Sequence, residues 1–297
     1  MNSELTGATP AMTEPSALSQ NDKHIVDVLI EERARHLLKR PRTWALIKRL
    51  IYPLLKYDTA IEMADAIADK DAAEVMAFVS QLLNVRLNVT GTENIPPTGR
   101  FMLTANHPTG IADGVAVYDA LKPVRPDMCF FANRDAIRIN PRLEEMIIPV
   151  EWVEATRTPA KMREMIRRMV RAFKEDSAII MFPSGRLALP SWQGLREQDW
   201  YGTTVNLARR NNTPVLPLYM KGRNSLLYYF FHLTSPELRD MTLFNELLNK
   251  KNYLFHMTFG PVIEPHLLEG DPTEVAARLK SYVEDELSQD PQKPFTP

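Results

Sequence analysis

The chain has 297 residues, 44% of them apolar and 25% charged, enough for one large domain or two small ones around a sizeable core. A net charge of -1 gives no overall pull towards nucleic acid, and a single cysteine, Cys129, excludes an internal disulfide framework and any multi-cysteine metal site. No stretch has the ~18–20 uninterrupted apolar residues of a membrane span, and the N-terminus lacks the basic start and apolar core of a secretory signal. The expectation is a cytoplasmic protein, soluble or peripheral on the inner face of the membrane.

Residues 1–20, rich in Ser, Thr, Pro and Ala, read as a disordered tail. A helix is expected from Asp22 to about Leu38. Between residues 33 and 57 there are eight Lys or Arg and no acid. Trp44, Ile47, Ile51 and Leu54 recur there at helical spacing, while Arg42, Lys48, Arg49 and Lys56 lie elsewhere on the wheel, and Pro53 should end the helix at Tyr52. A basic amphipathic segment with a Trp is either an interfacial helix on an anionic membrane or a helix packed on its own domain with a solvated basic face. Residues 59–83 read as further, core-facing helix. Residues 21–85 together are expected to form a helical, basic, membrane-docking extension.

From Arg86 onward the pattern changes to short β-rich runs at 87–89, 101–104, 128–132, 147–153, 178–182, 215–220 and 254–259. Between them lie helical stretches at 115–121, 159–174, 203–210, 236–248 and 272–287. Such alternation predicts a single α/β domain over residues 86–288, with a mostly parallel central sheet flanked by helices, and a frayed tail at 289–297. Over 159–174, Met162, Met165, Ile166, Met169, Val170 and Phe173 form a stripe expected to face the core. Six bases fill most of the remainder of that helix, as a solvated face or as a contact for a phosphorylated ligand or an acidic carrier protein. The run Leu226-Leu227-Tyr228-Tyr229-Phe230-Phe231 reads as core or as an acyl-chain and membrane contact, with core the safer expectation.

The chemistry concentrates in Asn106-His107-Pro108-Thr109-Gly110-Ile111-Ala112-Asp113, a polar loop leaving the apolar run that begins at Phe101. In an open α/β sheet, ligands bind at the C-terminal ends of strands. An imidazole there can take a proton near neutral pH, and a carboxylate can orient it. The plainer alternative is that Asp113 caps the next helix and His107 is a solvated loop residue. The six histidines show no metal-ligand spacing, and neither a phosphate-binding Gly-x-x-x-x-Gly-Lys-Ser/Thr loop nor a Gly-x-Gly-x-x-Gly is present, so no metal and no nucleotide chemistry is expected.

Three further pieces follow where loops should leave strands: Ile148-Pro149-Val150-Glu151-Trp152-Val153-Glu154-Ala155-Thr156-Arg157, then Phe182-Pro183-Ser184-Gly185-Arg186, then Val215-Leu216-Pro217-Leu218-Tyr219. In this order the four resemble the blocks of the glycerolipid and lysophospholipid acyltransferase superfamily, which includes the lysophosphatidate acyltransferases. The resemblance covers roughly residues 86–225. It implies transfer of an acyl group from acyl-CoA or acyl-carrier protein, as co-substrate with no resident cofactor, to a lysolipid hydroxyl. His107 would be the general base and Asp113 the residue that orients it. Arg157 and Arg186 would match the family's arginines, whose guanidinium fork suits a phosphate. Asn106, Gly110, Ser184 and Gly185 would line the substrate, and Arg134 and Arg223 are further candidates for polar-head contacts, against the alternative of structural ion pairs.

Two departures stand out. Five residues, not four, separate His107 from Asp113, a His-Pro-x-Gly-x-x-Asp form associated with a bacterial side branch. Ser184 replaces the family Glu, and Arg186 follows Gly185 directly, which opens the acceptor to heads other than glycerol phosphate, such as a lyso-aminolipid. Two rival readings are a Ser184-dependent hydrolase, although the Gly-x-Ser-x-Gly elbow is incomplete, and a non-catalytic lipid-binding protein on the same scaffold.

Overall fold

The structure, a computed structural model, describes residues 23–151, 157–192 and 194–297. The expected tail at 1–20, the start of the first helix, Trp152 and Val153 of the fourth expected strand, and Glu154 to Thr156 of the second motif lie outside the described residues.

The N-terminal helices are α1 (Ile25–Arg33), α2 (Arg35–Leu38), α3 (Pro41–Ile51), α4 (Tyr57–Ile67) and α5 (Ala72–Leu83). Pro53, which has no N–H to give, ends α3 as the sequence implies. The single helix expected over 59–83 is divided in two. Asp71 accepts the Glu74 N–H at 2.9 Å while the Glu74 carboxylate accepts the Asp71 N–H at 2.8 Å, a reciprocal cap that starts α5 afresh. Strand β1 (Arg86–Thr90) follows, then β2 (Phe101–Ala105), α6 (Ile111–Leu121), β3 (Met128–Asn133), α7 (Asp135–Ile139), β4 (Ile147–Val150), α8 (Pro159–Lys174) and β5 (Ala178–Met181). A short hairpin of β6 (Leu189–Ser191) and β7 (Gly194–Arg196) has no counterpart among the expected elements. The chain then runs through α9 (Thr203–Arg210), β8 (Val215–Lys221), α10 (Leu226–Thr234), α11 (Pro236–Met241), α12 (Leu243–Leu248), β9 (Leu254–Phe259) and α13 (Pro272–Ser281), continued by a wider helical turn at Tyr282–Leu287.

Seven strands form one sheet in the order β1-β9-β8-β2-β5-β3-β4. Every neighbouring pair is parallel except β8 with β9. Strand β2 lies near the centre and is buried along its whole length, as a parallel strand covered by helices on both faces must be. Its side chains alternate: Phe101, Leu103 and Ala105 enter the larger core with α4, α5, α6 and α12, and Met102 enters the second with α9 and α13. The domain is thus helix on sheet on helix.

Several expectations about faces are corrected. The α8 stripe is wider than its contact zone: Phe173 is buried and Met165 and Met169 pack against the second core, but Met162, Ile166 and Val170 are exposed. The run 226–231 is neither wholly core nor wholly surface, because it coils into α10, which buries Tyr228 and Phe231 and turns Leu226 and Phe230 outward. The segment 289–297 is held rather than frayed. Phe295 is buried edge-on against Tyr282 with ring centroids 5.4 Å apart, and the Tyr282 hydroxyl donates to Lys293 O at 2.7 Å.

The N-terminal helices share the larger core with the sheet, through Val26, Ile30, Trp44, Tyr52 and Leu55. Arg33 pairs with Asp135 at 2.5 Å and Arg138 with Glu32 at 2.6 Å across that junction. No helix among the described residues is long and apolar enough to cross a membrane.

Candidate active site

Strand β2 delivers the chain at Ala105 to the C-terminal edge of the sheet, and the next five residues form a loop with little freedom. Asn106 continues the β2–β8 ladder with its side chain: the amide Nδ2 donates to Met220 O at 2.8 Å, and Met220 N–H donates to Asn106 Oδ1 at 2.6 Å. Both ends of the Asn106 amide are therefore spent on holding the loop. Gly110 starts α6 with φ +92°, in the left-handed region that favours glycine, and a Cβ there would lie 3.2 Å from Leu187 Cδ2. Gly222, on the far side, keeps the chain after β8 against Thr109, since a Cβ would sit 2.7 Å from Thr109 Cγ2.

Asp113 lies in the first turn of α6 and is fully buried. Its Oδ2 accepts the N–H groups of Thr109 at 2.8 Å and Gly110 at 2.9 Å, and Oδ1 accepts the Thr109 hydroxyl at 2.5 Å. Three donors and the positive end of the helix compensate a buried carboxylate. The same Oδ2 is 2.9 Å from His107 Nδ1. The cap of α6 and the partner of His107 are thus one and the same carboxylate. Nδ1 faces the Asp113 carboxylate, an arrangement that favours the tautomer with the proton on Nδ1 and the lone pair on Nε2. The ring is stacked on Phe182 at the end of β5, with centroids 4.1 Å apart and planes 22° from parallel.

Sequence reasoning missed the group that holds the backbone of His107. Glu197, directly after β7 and 5% exposed, accepts the His107 N–H with Oε1 and the Trp200 indole N–H with Oε2. Its own N–H donates to Glu284 Oε1 at 3.1 Å. Burial pushes the Glu197 carboxyl up to about 8, against the pull of the Trp200 hydrogen bond. The visible sign in the sequence was only an acid beside a Trp in Arg196-Glu197-Gln198-Asp199-Trp200. Ala188 N–H donates to His107 O at 3.1 Å, so the peptide groups on both sides of the His107 Cα are held by residues flanking the β6–β7 hairpin.

The remaining expected residues divide. Ser184 is buried, and its hydroxyl donates to Arg186 O at 2.8 Å and accepts the Arg186 N–H at 3.2 Å, closing the turn in which Gly185 has φ +60°. Arg186 follows β5 and Arg223 follows β8, the two strands flanking β2, and both side chains are exposed. Arg134 leaves β3 at the same edge, but its guanidinium is taken up by Glu151 at 2.7 Å and Glu164 at 2.8 Å. Arg157 lines a cavity of about 120 Å³ with Pro149, Val150, Thr158 and Met162, and its Nε donates to Glu151 O at 3.2 Å. The edge therefore gathers His107, Asp113, Ser184 and Arg186 on adjacent strands, and Arg134 and Arg157 lie further out. Among the described residues no group of three His, Cys, Asp or Glu could hold a metal ion.

Residues 86–221 match the family model described as Acyltransferase. The chain is 25% identical over 226 residues to a lyso-glycine lipid O-acyltransferase of Phocaeicola vulgatus, covering 73% of this chain and 77% of that one. It is 22% identical over 259 residues to a protein of the same name from Bacteroides thetaiotaomicron, covering 83% and 92%. Among solved structures, the 1-acyl-sn-glycerophosphate (LPA) acyltransferase PlsC of Thermotoga maritima is similar at 14% identity and a TM-score of 0.46, covering 89% of this chain and 95% of that chain. Over residues 86–221 the chain is thus similar to the Acyltransferase family, and both of these curated relatives bear the name of an O-acyltransferase.

Proposed function

We propose that the protein transfers a fatty acyl group from an acyl thioester, acyl-CoA or acyl-carrier protein, to the hydroxyl of a lysolipid. The observation that carries this reading is the His107–Asp113 pair, with Nδ1 and Oδ2 2.9 Å apart. His107 Nε2 takes the proton of the acceptor hydroxyl as its oxygen attacks the thioester carbonyl. The C–O bond forms, the C–S bond breaks, and the proton passes from the imidazolium to the departing thiolate. Asp113 keeps the ring in the productive tautomer and stabilises the imidazolium. The thioester is already activated, so neither an enzyme-bound acyl intermediate nor a resident cofactor is called for. The names of the two curated relatives, together with Ser184 in place of the family Glu, favour a lyso-aminolipid acceptor such as a lyso-glycine lipid over glycerol phosphate. Arg186 and Arg223 are the side chains assigned to its polar head.

The protein is further proposed to dock on the anionic inner face of the membrane through α3, where Leu46 and Leu50 are exposed beside Arg42 and Arg49. The helix is built into the core, so charge reversal at Arg42, Lys48 and Arg49 is the suitable probe, and unchanged binding to anionic vesicles would refute the docking.

The test of the reaction is transfer of labelled acyl groups from both donors to a panel of lysolipids, wild type beside His107→Ala, with free fatty acid counted. Diacyl product from wild type alone supports the reading and identifies the acceptor. Fatty acid without acylated product would favour the hydrolase, although the Ser184 hydroxyl is engaged by its own loop. Full transfer by a folded His107→Ala protein would sink the mechanism.

A further inference from the structure

The β6–β7 hairpin belongs to none of the four motifs, yet it is mounted on the catalytic residue. Ala188, just before it, donates to His107 O, and Glu197, just after it, accepts the His107 N–H. Away from that anchored base the hairpin presents Trp192, which is 91% exposed. An indole of that size left in water gains nothing for the fold.

On the other side of β2 the chain leaves β8 into α10. Leu226, Phe230 and Leu233 stand at i, i+4 and i+7, which puts them on one face of that helix. Leu226 is 85% and Leu233 83% exposed, while Tyr228 and Phe231 on the opposite face fill the interior. Strands β5 and β8 flank β2 in parallel, so the hairpin and α10 emerge from the same sheet edge on either side of the His107 loop. Charge is one-sided here: residues 221–235 contain Lys221 and Arg223 and no acid, and Arg186 is exposed at the foot of the hairpin.

We propose that Trp192 and the outer face of α10 form a lipid-contacting rim around the active-site edge, seated on an anionic bilayer with Arg186 and Arg223 at headgroup level. An exposed Trp, leucines on one helix face and exposed arginines are the composition of a membrane interface, apolar below and cationic at the phosphates. The occupant is a bilayer rather than a protein partner because apolar groups on two separate elements flank an active site whose acceptor is itself a lipid. This rests on the lysolipid reading above and adds to it an orientation: the sheet edge faces the membrane, and the acceptor hydroxyl need rise only a short way to reach His107 Nε2.

The experiment compares wild type, Trp192→Phe and the double variant Leu226→Ser/Leu233→Ser. Vesicles of phosphatidylcholine and phosphatidylglycerol, brominated on their acyl chains, serve as the probe. The emission component lost in Trp192→Phe should shift to shorter wavelength and be quenched when vesicles are added to wild type. The double variant should bind the same vesicles roughly tenfold more weakly. It should keep its turnover of a monomeric short-chain lysolipid within about twofold, and lose about tenfold on lysolipid embedded in vesicles. Capture of wild type by vesicles with Trp192 unquenched, or undiminished capture of the double variant, would overturn the rim while leaving α3 as the docking element. No capture of wild type would overturn membrane docking altogether, with acyl transfer still judged by the monomeric assay. Wild type sedimenting as a dimer that the double variant abolishes would give the face to a second copy and overturn the proposal as well.

Discussion

Replacing Glu197 with Gln isolates the buried carboxyl on which the His107 peptide rests. Burial raises that carboxyl from 4.5 to about 8, with the charges of Glu284 and Asp113 adding to the shift. An acid raised in this way binds its proton more tightly when folded than when unfolded. Its contribution to stability is complete below the unfolded value of 4.5 and is lost as pH climbs through about 8. At about 1.4 kcal/mol per pH unit, the interval corresponds to about 5 kcal/mol of stability given up between acid and alkaline solution.

The amide of Glu197→Gln cannot ionise, so that loss should vanish from the variant. The substitution has its own cost, because the side-chain NH2 must face one of the two N–H groups that the acid accepts, about 1–2 kcal/mol for one buried hydrogen bond. Wild type should therefore be the more stable protein near pH 5, the curves should cross near pH 6, and above pH 8 the variant should lead by about 3 kcal/mol. Urea unfolding followed by circular dichroism at steps from about pH 5 to pH 9, with the denaturant slope unchanged, measures the difference directly. All other titrating groups are common to both proteins and cancel. Parallel stability profiles would show that Glu197 is not the titrating group and would refute the reasoning.

Asp113→Asn turns an amide NH2 towards donors that now meet a carboxylate, so it should destabilise by about 2–4 kcal/mol and lower turnover by about 10²–10⁴-fold, read by thermal melts and steady-state kinetics. A stable variant at full rate would separate Asp113 from the chemistry. Ser184→Ala loses two hydrogen bonds within its own turn and should cost about 1–2 kcal/mol while transfer continues. Loss of all transfer in a folded Ser184→Ala protein would instead point to a nucleophile. Gly91→Ala should destabilise by more than about 3 kcal/mol, since the residue has φ +74° and a Cβ would fall 1.9 Å from Phe259 O. A melting temperature within about 2 °C of wild type would contradict that geometry.

The strands were legible wherever they lie inside the sheet. Phe101 to Ala105 and Ala178 to Met181 are buried at every position, and a strand covered on both faces must be continuously apolar. The His107–Asp113 pair was legible because five residues carry the chain from the strand end, over Gly110, to the first turn of α6. The β6–β7 hairpin was not, because Leu189-Pro190-Ser191 and Gly194-Leu195-Arg196 are too short to show any period. Glu197 was invisible for a different reason: only tertiary folding reveals that an acid in a polar run is buried against a backbone N–H. The long helices expected at 59–83 and 236–248 failed where a side-chain cap or a single residue interrupts an otherwise good period; Thr242 separates α11 from α12.

The antiparallel strand β9 has a consequence for how the chain is made. Strand β1 sits at the sheet's edge with β9 as its neighbour, so Asn88 waits for His256, a partner 168 residues further along. During synthesis, β2, β5 and β8 can assemble, and the Asn106 clamp can close, while the first strand is still without its neighbour. Until Leu254 to Phe259 emerge, the outer edge of β8 stands open as a template for another chain. The strands that position the His107 loop are thus in place early, and the final strand is the seal that joins β1 to them. A nascent chain stalled before residue 254 should consequently aggregate through an edge that the finished protein never displays.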